Sequence, residues 1–261
     1  KAISGRKTYD IVHAFNLPSA FAMKYTKAKK KVLSIHGVYS EQIDALHSKT
    51  TSTKVKNKEA NILKWADKLL TNSKNVKQAY KEKLNLDFDY IYGPIDIEKL
   101  KKIEGKITKN EKQVVYIGRN SYEKGMDILK KIEGKINAKV VYCTNLDWES
   151  AMQVLKLSDI VVVPSRIDNI PNVIKEAFFL KIPVVATDIE GISEIITNDV
   201  NGILVSNEEP EKLTNAINQL LDNNEKIKEI TENGYDFIIK NMTWDVLLPK
   251  YIEFYEKLIK Q

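Results

Sequence analysis

Two acids and two cations fall at spacings that suit a single anionic ligand. The apolar run Ile160-Val161-Val162-Val163-Pro164-Ser165 leads into Asp168-Asn169-Ile170-Pro171-Asn172, then Glu176-Ala177 and a second run, Pro183-Val184-Val185-Ala186-Thr187. A buried parallel strand that ends at a polar turn and opens a helix offers that helix's first, unpaired N–H groups to an anion. Pro171 is expected at the first helical position, where a missing N–H costs nothing. Five residues further on, Glu176 lies about 7.5 Å along the helix axis, placed for the ribose side of a ligand whose phosphates rest on the turn.

A plain N-cap at Asp168 or Asn169, with Glu176 a surface acid, stays open as an alternative. A second constellation weighs against it. Val114-Val115-Tyr116-Ile117 reads as a short strand followed by Gly118-Arg119 and then Lys124-Gly125 ahead of a helical pattern. Doubly wound sheets bind ligands beyond the carboxyl ends of their strands, so Arg119 and Lys124 would meet the ligand there, and diphosphate is their natural partner. Either cation alone also reads as a solvated surface charge.

The elements that must position these residues alternate between strand and helix, which implies parallel sheets. Strands are expected at 10–15, 31–36, 90–92, 113–117, 139–143, 160–163, 183–186 and 203–205, with helices around 19–25, 61–70 and 75–84. The Ser/Thr/Lys-rich segment 48–58 reads as mobile or solvent-facing. Gly93-Pro94-Ile95-Asp96 breaks the pattern, and the charged stretch to Asn110 reads as an interdomain linker. Two domains are expected, 1–106 and 107–261, with the final helix crossing back to the first. There is no internal repeat and no heptad pattern.

In this order, Gly118-Arg119 with Lys124-Gly125, Pro164-Ser165, Asp168 with Glu176-Ala177, Pro183-Val184-Val185-Ala186-Thr187-Asp188, Gly191, Glu194-Ile195 and Asn201-Gly202-Ile203-Leu204-Val205 resemble glycosyltransferase family 4. The resemblance covers 111–205 well, and Thr243-Trp244 with the closing 251–258 helix resembles that family's C-terminal end. It implies an α/β protein of the GT-B fold with two Rossmann-like domains. It also implies a retaining, metal-independent transfer of a sugar from a nucleotide donor, such as a UDP- or GDP-sugar, to an acceptor hydroxyl. The acceptor would be a glycan, a lipid-linked molecule or a protein.

Residue by residue, the resemblance gives the diphosphate to Arg119 and Lys124 beside Gly118, assisted by Asn169, Ile170, Pro171 and Asn172. Asp168 would hold donor-sugar hydroxyls and Glu176 the ribose hydroxyls, with His36 approaching the transferred sugar from the other domain. Preorganised cations and helix N–H groups stabilise charge building on a departing diphosphate. Two positions depart from the family pattern: Asp168 stands where glutamate is usual and Asn169 where glycine is common. The shorter acid bears on sugar identity and turnover more than on nucleotide binding. One β-α unit between Gly125 and Asp159 is also absent relative to the usual domain, so the base is not legible.

The first half resembles the later part of the family's N-terminal domain through Asp10-Ile11-Val12-His13, Ile35-His36-Gly37, Ala66-Asp67 with Ser73, and Gly93-Pro94-Ile95-Asp96. That domain is therefore expected to be incomplete, lacking a Gly-rich loop. Asp87-Phe88-Asp89 resembles the metal-binding triplet of the other glycosyltransferase fold, without its context, and reads as turn and strand-edge chemistry. Competing readings are a non-catalytic nucleotide-sugar-binding or interaction module and a GT-B epimerase. A double displacement would need a closely spaced carboxylate pair, which the sequence does not locate.

At 261 residues and 43 % hydrophobic content the chain can bury two cores. A single cysteine, Cys143, excludes an internal disulfide framework and a cysteine zinc cluster, and the three histidines are dispersed. No apolar run reaches the roughly 18–20 residues of a membrane span, and no signal-peptide pattern is present. A cytoplasmic enzyme is the expectation. Residues 1–106 carry 22 Lys+Arg against 11 Asp+Glu, whereas residues 107–261 carry 19 against 24. The basic half suits an anionic membrane surface, so peripheral association is expected there, or simple solvation. No recognised nucleic-acid motif accompanies it, and no nucleic-acid partner is expected.

Overall fold

The computed structural model describes residues 7–38, 49–104 and 111–260. It divides into two compact units, Lys1–Gly93 with Asp245–Gln261, and Pro94–Trp244. Residues 94–104, which the sequence analysis attaches to the first half, group here with the second unit; 105–110, the end of the expected linker, lie outside the described residues.

The first unit is built on a four-stranded sheet in the order β1 (Tyr9–Phe15), β2 (Ala28–Ile35), β3 (Lys68–Thr71), β4 (Asp89–Tyr90), every pair parallel. The return connections are α1 (Asn16–Tyr25), α2 (Lys49–Leu63) and α3 (Lys74–Leu84). One sheet face buries Leu33 and Leu69 with Leu17, Met23, Ile62, Leu63, Val76 and Tyr80 from these helices. Because side chains alternate along a strand, Val32 and Leu70 point the other way. They pack with Ile91 and with Leu247 and Leu258 of the C-terminal helix.

One expectation is refined and one corrected in this unit. The segment 48–58 is helical from Lys49, with Lys56, Asn57 and Lys58 solvent-facing as expected, and the helix runs on to Leu63; Ser48 lies outside the described residues. The stretch 61–70 is therefore not one helix, since Lys68–Thr71 is strand β3. The helix escapes a composition-based reading because Thr and Ser are poor helix formers. Burial of Glu59, Ile62 and Leu63 at its end supplies the tertiary anchor.

The second unit opens with the short helix α4 (Ile97–Lys101). Its sheet comprises β5 (Gln113–Ile117), β6 (Lys139–Cys143), β7 (Ile160–Val163), β8 (Val184–Thr187) and β9 (Ile203–Val205), all parallel, in the order β6-β5-β7-β8-β9. The near-continuous Val/Ile runs fit strands covered on both faces. Connections are α5 (Met126–Ile132), α6 (Trp148–Lys156), α7 (Asn172–Phe179) and the single turn α8 (Glu190–Ser193), followed by α9 (Pro210–Leu221) and α10 (Asn224–Asn241). The last helix, α11 (Trp244–Lys260), belongs to the first unit from Asp245 onward. Asp87 pairs with Lys81, and Phe88 is buried and stacked on Tyr80 at 4.6 Å.

Candidate functional site

In the second unit the strand order reverses between β5 and β7, with β6 outside one and β8 and β9 outside the other. A crevice for ligand opens at the carboxyl ends of strands at such a reversal. The Gly118-Arg119 and Asp168 segments leave from those two strands.

After β5, Gly118 donates its N–H to the Cys143 carbonyl (3.2 Å), and the Tyr116 hydroxyl donates to the Arg119 carbonyl (2.7 Å). Burial, reinforced by Asp168 and Glu123, pushes the Tyr116 phenol up to about 12, so it stays protonated and serves as a fixed donor. Residues Tyr122–Lys124 form a 3-10 turn ending at Gly125, whose φ is 65°. A Cβ at Gly125 would lie 1.8 Å from the Pro164 carbonyl oxygen, so both conformation and space demand glycine. This contact seats Lys124 at the end of β7. Its Nζ lies 2.6 Å from Asp168 Oδ2, and the Ser165 hydroxyl donates to the same oxygen at 3.1 Å. From α8, Gly191 presses on the turn: a Cβ there would fall 2.4 Å from the carbonyl oxygens of both Asp168 and Asn169.

Arg166 was not among the expected site residues, yet it fastens this loop. Its side chain is only 9 % exposed. The guanidinium forks onto Asp127 at 2.7 and 2.8 Å and donates to Glu208 (2.8 Å) and the Tyr122 carbonyl (2.9 Å), with its carbon 4.2 Å from the Tyr122 ring centroid. The backbone N–H groups of Arg166 and Ile167 both donate to the Glu123 carbonyl. The 122–125 turn and the 165–168 loop are thereby one assembly. The Arg166 hydrogen bonds hold the Asp127 carboxyl below its usual range. Arg119 differs, being 76 % exposed and paired with Glu123 at 3.2 Å.

Helix α7 begins at Asn172, one residue later than expected. Pro171 is its N-cap, with φ −65° and ψ 132°, and its carbonyl accepts from the Ile174 N–H at 3.3 Å. That ψ is extended, not helical, and Pro171 has no side-chain oxygen to cap the first turn. Ile170 and Pro171 are buried under the turn while Asn172 is exposed.

Glu176 is half-buried, and the Trp148 indole N–H donates to its Oε1 at 2.7 Å. Burial raises the Glu176 pKa, opposed by the Trp148 hydrogen bond and by Lys175 and Lys99. Lys99 Nζ sits 3.9 Å from the centroid of the Trp148 ring. Lys175 is buried, which lowers its pKa to about 8. These residues, with Pro94, Asp96 and Asn172, line a cavity of about 250 Å³. The pairing of Trp148 with Glu176 had no sequence signal, since the two are 28 positions apart on different helices.

His36 lies in the first unit, just after β2. Its ring stacks at 6.2 Å on Phe15, which stacks at 4.3 Å on His13. His13 Nδ1 is 2.6 Å from the Tyr255 hydroxyl and Nε2 is 2.6 Å from the Ser34 hydroxyl. Burial and the neighbouring His36 lower the His13 pKa to about 4. Among the described residues, no group of three or more His, Cys, Asp and Glu could hold a metal ion.

Two family models match the chain: "Glycosyltransferase Family 4" over residues 1–99 and "Glycosyl transferases group 1" over residues 97–223. Among curated relatives, uncharacterized glycosyltransferase MJ1069 of Methanocaldococcus jannaschii is 27 % identical over an alignment spanning 71 % of this chain and 48 % of that protein. Uncharacterized glycosyltransferase MJ1607 of the same organism is 24 % identical, over 97 % of this chain and 77 % of its own length. The chain thus spans about half of the first relative and about three quarters of the second. Sucrose-phosphate synthase from Thermosynechococcus elongatus superposes with TM-score 0.82 at 18 % identity, over 97 % of this chain and 74 % of that one. Anabaena Alr3699/HepE in complex with UDP-glucose gives 0.78 at 19 % identity, over 95 % and 79 %. These likenesses establish a common fold, GT-B.

Proposed function

Because the chain belongs to the glycosyltransferases that the group 1 and family 4 models describe, we propose that it transfers a sugar from a nucleotide-sugar donor to an acceptor hydroxyl, with retention and without a metal ion. The observation that carries this reading is the Lys124–Asp168 pair, held at 2.6 Å where the strand order of the second unit reverses. Retention and metal independence rest on the family resemblance. The UDP-glucose complex of the Anabaena protein supports a nucleotide-sugar donor here.

As the anomeric C–O bond to the diphosphate breaks, negative charge grows on the diphosphate; the acceptor oxygen bonds to that carbon and its hydroxyl proton passes to the departing diphosphate oxygen. Lys124 turns from Asp168 to that charge, and exposed Arg119 swings in from Glu123. The uncapped first turn of α7 adds N–H donors. Asp168, released from Lys124, takes donor-sugar hydroxyls. Glu176, oriented through one oxygen by Trp148, takes the ribose hydroxyls with the other. The family resemblance alone would give His36 a role toward the transferred sugar.

The test is calorimetric titration with UDP-, GDP- and ADP-sugars and the free diphosphates, followed by a transfer and hydrolysis assay on any donor that binds. Arg119→Ala and Glu176→Ala should each weaken donor binding by about 1–3 kcal/mol, the range for removing a charged hydrogen-bond partner. Unchanged affinity in both variants would sink the site assignment. Tight binding without any turnover would instead favour a non-catalytic binding module.

A further inference from the structure

Residues 11–40 contain no Asp or Glu and five lysines, Lys24, Lys27, Lys29, Lys30 and Lys31. Helix α1 lies in this stretch and buries Leu17, Ala20 and Met23 against the first unit's core. Its other face exposes Pro18, Phe21, Ala22 and Tyr25, with Phe21 43 % and Tyr25 63 % exposed. Phe21 stacks edge-on against Trp65 at 5.2 Å. Lysines frame the aromatics: Lys24 Nζ is 4.1 Å from the Trp65 ring centroid and 5.6 Å from that of Tyr25, and Lys58 Nζ is 5.9 Å from that of Phe21.

Among the described residues, the acids of the flanking segments are engaged elsewhere. Glu59, the only acid in α2, is buried and accepts a hydrogen bond from the Tyr80 hydroxyl. Asp67 accepts from the Lys31 backbone N–H, and Asp10 pairs with Lys29. What remains is a face of aromatic rings, Phe21 and Tyr25 exposed and Trp65 half-buried, edged by ammonium groups. Aromatic rings with one apolar and one polar side settle at the headgroup level of a bilayer, and lysines beside them add attraction to anionic lipid. The two contributions add, because binding strength scales with the apolar area buried plus the attraction to anionic lipid.

We propose that the α1 face centred on Phe21, Tyr25 and Trp65, with Lys24 and Lys58, docks on an anionic phospholipid surface. The first unit then touches the bilayer by adsorption, with the rings at headgroup depth and nothing crossing; among the described residues no helix is long and apolar enough to span a membrane. The inference stands on the first unit alone and is independent of the donor assignment.

The experiment is co-sedimentation of the full chain with vesicles of phosphatidylcholine alone and of phosphatidylcholine mixed with phosphatidylglycerol, at low and high salt. Binding is expected on the mixed vesicles only, weakening with salt. Phe21→Ser with Tyr25→Ser, and separately Lys24→Glu with Lys58→Glu, should each lower partitioning about tenfold or more. All four side chains are at the surface, so folding is checked by unchanged circular dichroism and by unchanged donor titration. Failure to bind the mixed vesicles, or equal binding by wild type and both variants, would overturn the proposal. So would retention on single-stranded DNA homopolymer that the same substitutions abolish while vesicle binding persists.

Discussion

Lys124 and Asp168, 44 residues apart in the chain, form a 2.6 Å ion pair because Gly125 lacks a Cβ and can lie against the Pro164 carbonyl. In this state the cation that the proposed function gives to a diphosphate and the acid that it gives to a sugar neutralise each other. On that proposal a donor has to separate them, and each then finds a partner on the same molecule.

Asp168→Asn removes the competitor for Lys124. Nucleoside diphosphate should bind as well as or a few-fold more tightly than to the wild type, while sugar transfer drops by about tenfold or more, as expected when a charged hydrogen-bond partner is lost. Calorimetry with the diphosphate and a turnover assay with the sugar donor read the two effects separately. A parallel fall in both would show that Asp168 organises the phosphate end instead.

Gly125→Ala should cost about 2–4 kcal/mol, because it combines a left-handed backbone with a clash against a main-chain carbonyl. Urea unfolding measures this directly. Gly134, with nothing within 4 Å of an added Cβ, is the control, and Gly134→Ala should be nearly neutral. Equal effects at the two glycines would refute the role given to the Gly125 contact.

Much of this site was legible because its parts are local. A β-branched run, then Gly-Arg or Pro-Ser, then a charge is a pattern that sequence spacing retains. The long-range parts were not. Arg166 is an arginine in a polar loop, with nothing in its neighbourhood to separate it from a solvated charge. Its partners, Asp127 and Glu208, lie at spacings set by the fold and by no period. Likewise, α2 was misread because its Ser/Thr content argues against a helix that tertiary burial at Glu59, Ile62 and Leu63 nonetheless supports. Parallel sheets followed from the alternation of elements, a local signal repeated many times, although strand β3 of the first unit was read as helix.

Trp148→Phe should make donor binding more sensitive to acid. The Glu176 pKa is already raised by burial, and the indole hydrogen bond is the first of the influences lowering it. Without that bond the pKa rises further, the carboxylate becomes protonated at a higher pH, and its acceptor role toward ribose hydroxyls is lost sooner as pH falls. Titrations across the acid range in wild type and variant should show the decline beginning at higher pH in Trp148→Phe. Superimposable profiles would mean that Glu176 does not meet the ribose.

The first unit should lose stability on mild acidification through His13. Its folded pKa is about 4 against 6.5 for the free side chain. Between those values the unfolded chain binds the extra proton, so stability is full above about pH 6.5 and falls as pH drops toward 4. The effect is on the order of 1–3 kcal/mol after allowance for partial exposure. Thermal melts of wild type and His13→Asn over this range should converge as the pH falls. A constant gap would refute it.

The chain passes between its two units at residues 93–94 and 244–245. The ends of the intervening stretch are stitched to each other: Ile95 bridges to Thr243, and its N–H donates to the Met242 carbonyl at 2.8 Å. Residues 94–244 are therefore a cassette with adjoining ends, inserted into a unit built from the segments on either side of it, since α11 supplies Leu247 and Leu258 to the core that holds Val32 and Leu70. Such a cassette can be exchanged as one contiguous block, so on the proposed function donor preference would travel with it and leave the fold of the first unit in place. Removing the last helix would damage the first unit, although the whole cassette separates it in sequence from the rest of that unit.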